Sequence, residues 1–302
     1  MSSEVPLSVV APGNYDGVHL GHRALLAAAR SLAGGFARVV VLTFDPHPAQ
    51  LLAPERAPAL LTTMARRVEL LRALGADHVE VATFDRAFAA QSASEFIEDV
   101  LRRRLNARGV VVGPDFRFAK GRGGDISTLR EAGLDVRTVD AVQVDGAVVS
   151  STRIRAAIRD GAVADAARLL GRVHDVAGEV IEGDKRGRTI GFPTANLACE
   201  PALLPADGVY SVVARGPSGE LLRGVANLGV RPTVGAGRSV EAHFFDFDGD
   251  LYGQTLRVGF VSRLRGEKKF DGLDALVAQI RADADRARSE LAVADEERWR
   301  WV

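Results

Sequence analysis

Cysteine is almost missing from this chain: Cys199 is the single one in 302 residues. One cysteine cannot close an internal disulfide, which suits a reducing compartment. No cysteine-protease signature surrounds it, so it reads as a buried or incidental thiol. Net charge is missing as well, because 39 Lys and Arg balance 39 Asp and Glu. The chain therefore lacks the basic surplus that nucleic acids or anionic membranes select, and neither is expected as a partner. Long apolar runs are absent. The longest, such as the stretch from Arg38 to Phe44, are only strand-length and cannot span a bilayer. The opening MSSEVPLSVVAPGN has no basic stretch leading into an apolar one, so it does not read as a signal peptide. A soluble, cytoplasmic protein is expected. The pattern G-x-x-x-x-G-K-[ST] is also absent, which excludes a Walker P-loop.

What is present is a large apolar fraction, 47%, and a length sufficient for two domains. The first half alternates short apolar runs with amphipathic stretches. Strands are predicted at Leu7 to Ala11, Val39 to Phe44, Val79 to Phe84, Gly109 to Val112 and Val136 to Val142. Helices are predicted at Arg23 to Leu32, stopped by Gly34 and Gly35, near Met64 to Leu74, at Ser94 to Leu105, and from Thr152 onward. Strands alternating with helices predict a parallel, doubly wound, Rossmann-like sheet. After Gly171 the helical period disappears. Short β-rich runs take over (EVIEG, GVYSVVARG, GVANLGV, VEAHFFDFDG, QTLRVGFVSRL), which predicts an antiparallel barrel. The tail from Leu273 to about Val293 returns to helix, with Leu273, Leu276, Val277 and Ile280 on one stripe. The fold class expected is thus α/β plus β: domain 1–160, linker 161–172, and barrel domain 173–302 with a terminal helix.

Two segments of the first domain carry chemistry. GNYDGVHLGHR, Gly13 to Arg23, joins the first strand to the first helix. Ligands of open α/β sheets bind at such carboxyl ends, where helix N-termini favour phosphates. His19 and His22, with Gly21 between them, can donate hydrogen bonds to a phosphate whose charge grows in a transition state. Taken alone, H-x-x-H equally fits a pair of surface or metal-binding histidines. SSTRIR, Ser150 to Arg155, begins a helix after the last strand. Its hydroxyls and Arg155 suit the outer phosphates of a nucleotide, although the same residues also fit an N-cap serine followed by a solvated basic face.

Together these segments resemble the nucleotidyltransferase superfamily, with its HxGH and ISSTxxR-type motifs. TFDPHP (Thr43 to Pro48) and GPDFRFAKGRGGD (Gly113 to Asp125) narrow the resemblance to the adenylyltransferase half of bacterial bifunctional riboflavin kinase/FMN adenylyltransferases. That resemblance implies ATP-phosphate roles for Gly13, His19, Gly21, His22, Ser151, Thr152 and Arg155, with His22 and Arg155 serving catalysis. It implies substrate binding for Asp115. The chain departs from the family pattern at Tyr15, where phenylalanine is usual, and at Ala119, where glycine is usual. The FMN phosphate has a second pKa of about 6, so the reaction needs alignment and charge neutralisation rather than a strong base.

In the second half, GEVIEGDKRGRTIGFPTANL (Gly178 to Leu197) is glycine-rich. Gly183 and Gly187 would allow backbone to approach a phosphate, while Thr194 and Asn196 offer oxygens to a hard cation. Glycines alone fit an ordinary hairpin. However, GVYSVVA, GVANLGVRPTVG, VEAHFFDFDGDLYG and LRGEKKF follow in the order of a riboflavin kinase domain and resemble it. The resemblance then covers nearly the whole chain. It implies Mg²⁺ and nucleotide binding by Thr194 and Asn196, and it implies that Glu241 is the general base for the ribityl hydroxyl. His243, on the same alternating face, reads as a packed histidine. ATP, riboflavin, FMN and FAD are the expected small-molecule partners, and Mg²⁺ brought with ATP the expected cofactor. The rival readings are a nucleotidyltransferase for another phosphate ester fused to a silent barrel, and a non-catalytic flavin carrier or regulator.

Overall fold

The β-branched runs of the first half form a five-stranded sheet in the computed structural model, which describes residues 6–183, 187, 190–230 and 238–302. Strands β1 (Ser8–Pro12), β2 (Arg38–Asp45), β3 (His78–Thr83), β4 (Ala107–Val112) and β5 (Asp135–Thr138) lie in the order β3-β2-β1-β4-β5, all parallel. Both faces are covered. Val10, Val40, Leu42, Val110 and Val112 pack against Phe96, Val100 and Leu101, while Val9, Val39, Val41 and Val111 are buried on the opposite face. Burial on two faces is why these strands read as continuous apolar runs rather than alternating ones.

The helix Leu20–Ala33 stops where expected, at Gly34 with φ 56°. The predicted helix Ser94 to Leu105 is α-helical only over Ala93–Glu95 and π-helical over Phe96–Arg104, ending with Leu105 N–H on the Val100 carbonyl at 3.1 Å. The strand expected over Val136 to Val142 is confined to β5. That edge strand has one neighbour, β4, and β4 ends at Val112. A short hairpin follows, β6 (Gln143–Val144) with β7 (Ala147–Val148).

Compactness divides the chain between Ser150 and Ser151. The second unit opens with helices Ser151–Arg159 and Val163–Leu170. The residues expected as a linker, 161–172, are therefore largely helical. Val163, Ala166, Ala167, Leu169 and Leu170 are buried, and the helix packs on β8 and β13. The barrel is closed and wholly antiparallel. Its strands are β8 (His174–Ile181), β9 (Ala195–Cys199), β10 (Gly208–Arg215), β11 (Leu221–Val230), β12 (Arg238–Phe244) and β13 (Thr255–Arg265), in the order β10-β11-β12-β9-β8-β13 with β13 returning to β10. The terminal helix Leu273–Val293 buries Ala284, Ala287 and Leu291 on Val209, Val213, Val225 and Leu264. Its expected stripe is shifted toward the C-terminus: Leu273 is 61% exposed, whereas Leu276 and Ile280 line a cavity instead. The expected α/β-plus-β architecture is the one observed.

Candidate active sites

The first unit reverses its strand order at β1, which is flanked by β2 on one side and β4 on the other. The loops leaving β1 and β4 therefore emerge side by side at the switch point, the place where open α/β sheets bind ligands. Gly13, just past β1, donates its N–H to the Leu42 carbonyl at 2.9 Å. A Cβ there would sit 3.0 Å from the ring of Tyr15. Tyr15 is fully buried at φ 52°, and its hydroxyl donates to the Ala11 carbonyl at 3.1 Å. Burial pushes its pKa far above the usual phenol value. The extra oxygen relative to phenylalanine is thus absorbed by one backbone hydrogen bond.

Asp16 is the residue that sequence reading passed over. Its carboxylate, 2% exposed, accepts the N–H groups of Leu61 at 3.0 Å and Thr62 at 3.1 Å, and lies 3.3 Å from the Arg67 guanidinium. Gly17 N–H adds a bond to the Thr62 hydroxyl at 3.2 Å. This knot holds a loop in which Val18 stands at φ 42°, an uncommon conformation for a β-branched residue.

Fixed in this way, the loop delivers His19 and His22. Their rings stack with centroids 3.6 Å apart and planes 17° apart, and Tyr15 lies 4.8 Å from His22. The His19 backbone N–H donates to Nδ1 of His22 at 3.2 Å. An accepting Nδ1 puts the proton of neutral His22 on Nε2. Gly21 packs closely on the same ring, since a Cβ there would sit 3.1 Å from Cε1 of His19. The Val149 carbonyl is 4.0 Å from that Cβ position, so the chain entering Ser150 passes beside the turn. Ser151, Thr152 and Arg155 stand on the helix Ser151–Arg159, in the second unit, with Arg155 buried.

Asp115 follows β4 and is exposed. Behind it the rings of Phe116 and Phe118 stack at 5.7 Å, and Phe118 continues onto Phe96 at 5.2 Å. Asp125 ends the motif by capping the helix Ile126–Glu131, accepting Thr128 N–H at 3.1 Å and pairing with Arg117 at 2.7 Å. Hydrogen bonds from Ser127 and Thr128, with Arg117 nearby, hold its carboxyl well below the usual carboxylate range. Ala119 stands at φ 64°, ψ −176°. That region is essentially reserved for glycine and costs roughly 1–3 kcal/mol in other residues, so the departure from glycine is a strained one.

In the barrel, strand register sets a row of polar residues across three neighbouring strands: Asn196 on β9 opposite Glu241 on β12, and Glu241 opposite Asn227 on β11. Directly opposed Cβ atoms lie about 4.5–5.5 Å apart. Alternation along β12 buries Val240, Ala242 and Phe244 and turns Glu241 and His243 to the other face. There they line a cavity of about 660 Å³ with Phe192, Thr194, Asn227 and Phe270. A second cavity, about 410 Å³, is lined by Thr194, Ala242, Phe247, Asp250 and Tyr252. Thr194 belongs to both. Asn196 is buried, and its amide lies where a Cβ of Gly183 would be, so Gly183 is needed to seat Asn196. A Cβ at Gly187 would run into the Phe192 carbonyl. Both glycines therefore serve close approach within the protein. Parts of their loop and of the GVRPTVG motif, Asp184 to Arg186, Arg188, Thr189 and Arg231 to Gly237, lie outside the described residues. The rim of the larger cavity is tied to the terminal helix by Arg265 on Asp283 at 2.8 Å. Burial, with Glu200 nearby, pushes the Cys199 thiol up to about 11, which keeps it an unreactive thiol at neutral pH.

A family model described as FAD synthetase matches residues 2–153, and one described as riboflavin kinase matches residues 170–291. The bifunctional riboflavin kinase/FMN adenylyltransferase of Escherichia coli (strain K12) is 42% identical over 288 residues, spanning 93% of this chain and 91% of that one. The protein of the same description from Bacillus subtilis (strain 168) is 36% identical over 298 residues, spanning 95% and 93%. A solved structure described as a macrolide-efflux protein from Streptococcus pneumoniae is 34% identical, with a TM-score of 0.87 and coverage of 94% and 95%. Among the described residues no helix is long and apolar enough to cross a membrane.

Proposed function

We infer the activity of this chain from one premise: it belongs to the bifunctional riboflavin kinase/FMN adenylyltransferase family. It phosphorylates riboflavin to FMN and adenylylates FMN to FAD, consuming ATP at each step. Residues 1–160 are assigned the adenylyl transfer and residues 173–302 the phosphoryl transfer. The observation that carries the kinase assignment is that Glu241 and Asn227, with Asn196 next in the same row of strands, border a cavity that shares Thr194 with its neighbour. The larger cavity, with Phe192 and Phe270 among its walls, suits the flat apolar isoalloxazine, and the smaller one suits the nucleotide. Thr194 then stands at the seam where the γ-phosphate meets the flavin's ribityl chain.

Glu241 accepts the proton of the ribityl 5′-hydroxyl as that oxygen attacks the γ-phosphorus, and ADP leaves. The Thr194 hydroxyl and the Asn196 amide oxygen fit a hard cation, and the seat provided by Gly183 holds Asn196 in place beforehand. Bound with ATP, Mg²⁺ would neutralise phosphate charge there. In the other half, His19 and His22 are assigned to the ATP phosphates. The Nε2 hydrogen of His22 donates as charge grows on the α-phosphate, and Gly13 and Gly21 give the rings their space. Ser151, Thr152 and Arg155 hold the departing pyrophosphate, and Asp115 contacts the flavin substrate. The balanced charge and single cysteine support a cytoplasmic enzyme without nucleic-acid or membrane partners.

Chromatography of the products from riboflavin and Mg·ATP tests the reading. FMN should appear first and FAD after it. A purified chain that leaves riboflavin unchanged refutes the kinase assignment, and one that stops at FMN refutes the adenylyltransferase assignment.

A further inference from the structure

Pro193 and Thr194 lie between two anchored points. On one side Phe192 N–H bonds the Gly187 carbonyl at 2.8 Å, and on the other β9 begins at Ala195, paired with Ala242. Pro193 has no N–H to offer. Its carbonyl, however, is met by Nδ1 of His243 at 2.8 Å. A carbonyl only accepts, so Nδ1 carries the hydrogen. That carbonyl belongs to the peptide unit whose N–H is Thr194's own, and holding it fixes the plane from which Thr194 projects. The His243 ring is in turn held edge-on by Phe192, at 5.3 Å and 73°, and by Phe245, at 6.0 Å and 73°. It stands one pleat from Glu241, on the same face and in the same cavity.

We propose that His243 is a positioning residue for phosphoryl transfer: its Nδ1–H bond to the Pro193 carbonyl sets Thr194 in register with Glu241. The proposal rests on the reading of the barrel as the kinase. It makes the strand that carries the base also the strut for the residue at the nucleotide seam, so both sides of the reaction are referred to one element.

Two substitutions separate the hydrogen bond from the ring. His243→Phe keeps an aromatic between Phe192 and Phe245 but cannot donate. His243→Asn loses the ring but places an amide N–H where Nδ1 stands. Riboflavin phosphorylation is measured with varied Mg·ATP, and adenylylation of supplied FMN is measured on the same samples. H243F should lower kcat/KM for Mg·ATP by about a hundredfold, as expected when a reacting group is misplaced by roughly 1 Å. H243N should stay within about threefold of wild type, and FAD formation from FMN should be unchanged in both. Equal losses in the two variants, or wild-type kinetics in H243F, overturn the proposal. If H243F does not fold, as seen by far-UV circular dichroism, His243→Ala takes its place: a loss in H243A with retention in H243N supports the proposal, and equal kinetics in the two overturn it. Failure of the wild-type chain to phosphorylate riboflavin would instead refute the kinase reading itself.

Discussion

Gly183 shows how much a single missing methyl can matter in this molecule. The space where its Cβ would be is filled by the amide of buried Asn196. The amide has little open space to turn into, because Asn196 is buried. Gly183→Ala should therefore displace the Asn196 side chain and lower riboflavin phosphorylation by at least tenfold, with FAD formation from FMN untouched. Wild-type phosphorylation in this variant would mean that Asn196 relaxes without consequence for the reaction. Gly21 makes a milder approach to the ring of His19, at 3.1 Å from its Cε1. In both motifs the glycine leaves room for a functional side chain, Asn196 or His19, which spacing alone does not reveal. Short motifs were legible because their residues are neighbours in the chain. Asp16 was not, because its partners Leu61, Thr62 and Arg67 lie 45 to 51 positions away and only the folded sheet edge brings them together.

At the scale of elements, the helix Val163–Leu170 differs most from expectation. Its sequence, with small residues and a glycine at each end, reads as a connector, yet its apolar side is buried on the barrel. Fully burying one Leu or Val side chain is worth about 1.5–3 kcal/mol. A fragment beginning at Ser151 should thus resist urea better than one beginning at Gly171, with a clearly higher midpoint, although both contain Thr194, Asn196 and Glu241. Equal midpoints would show that the helix is no part of the barrel's core. Long, strongly patterned elements such as β2, β10 and the helix Leu20–Ala33 were readable because burial on one or two faces imposes their period. The hairpin β6–β7 was not readable, since strands of two residues carry no period. The π-helical stretch Phe96–Arg104 has no signature of its own in the sequence, because its apolar positions Phe96, Ile97, Val100 and Leu101 recur at α-helical spacing.

The whole chain joins two chemically unlike transfers. A primary alcohol needs a base to attack the γ-phosphate of ATP, whereas the FMN phosphate is already ionised when it attacks the α-phosphate. The first reaction is therefore expected to fail when a carboxylate is lost, and the second when a hydrogen-bond donor is lost. The two candidate residues, Glu241 and His22, lie in different compact units. The most direct measurement follows each variant through both reactions under single-turnover conditions, so that slow product release does not mask the chemical step. Glu241→Gln should phosphorylate riboflavin at least about a hundredfold more slowly yet convert supplied FMN to FAD at the wild-type rate. His22→Ala should accumulate FMN from riboflavin normally and form FAD about a hundredfold more slowly. If either folded variant loses both reactions together, or keeps both, the account of one chain with two independent active sites is contradicted.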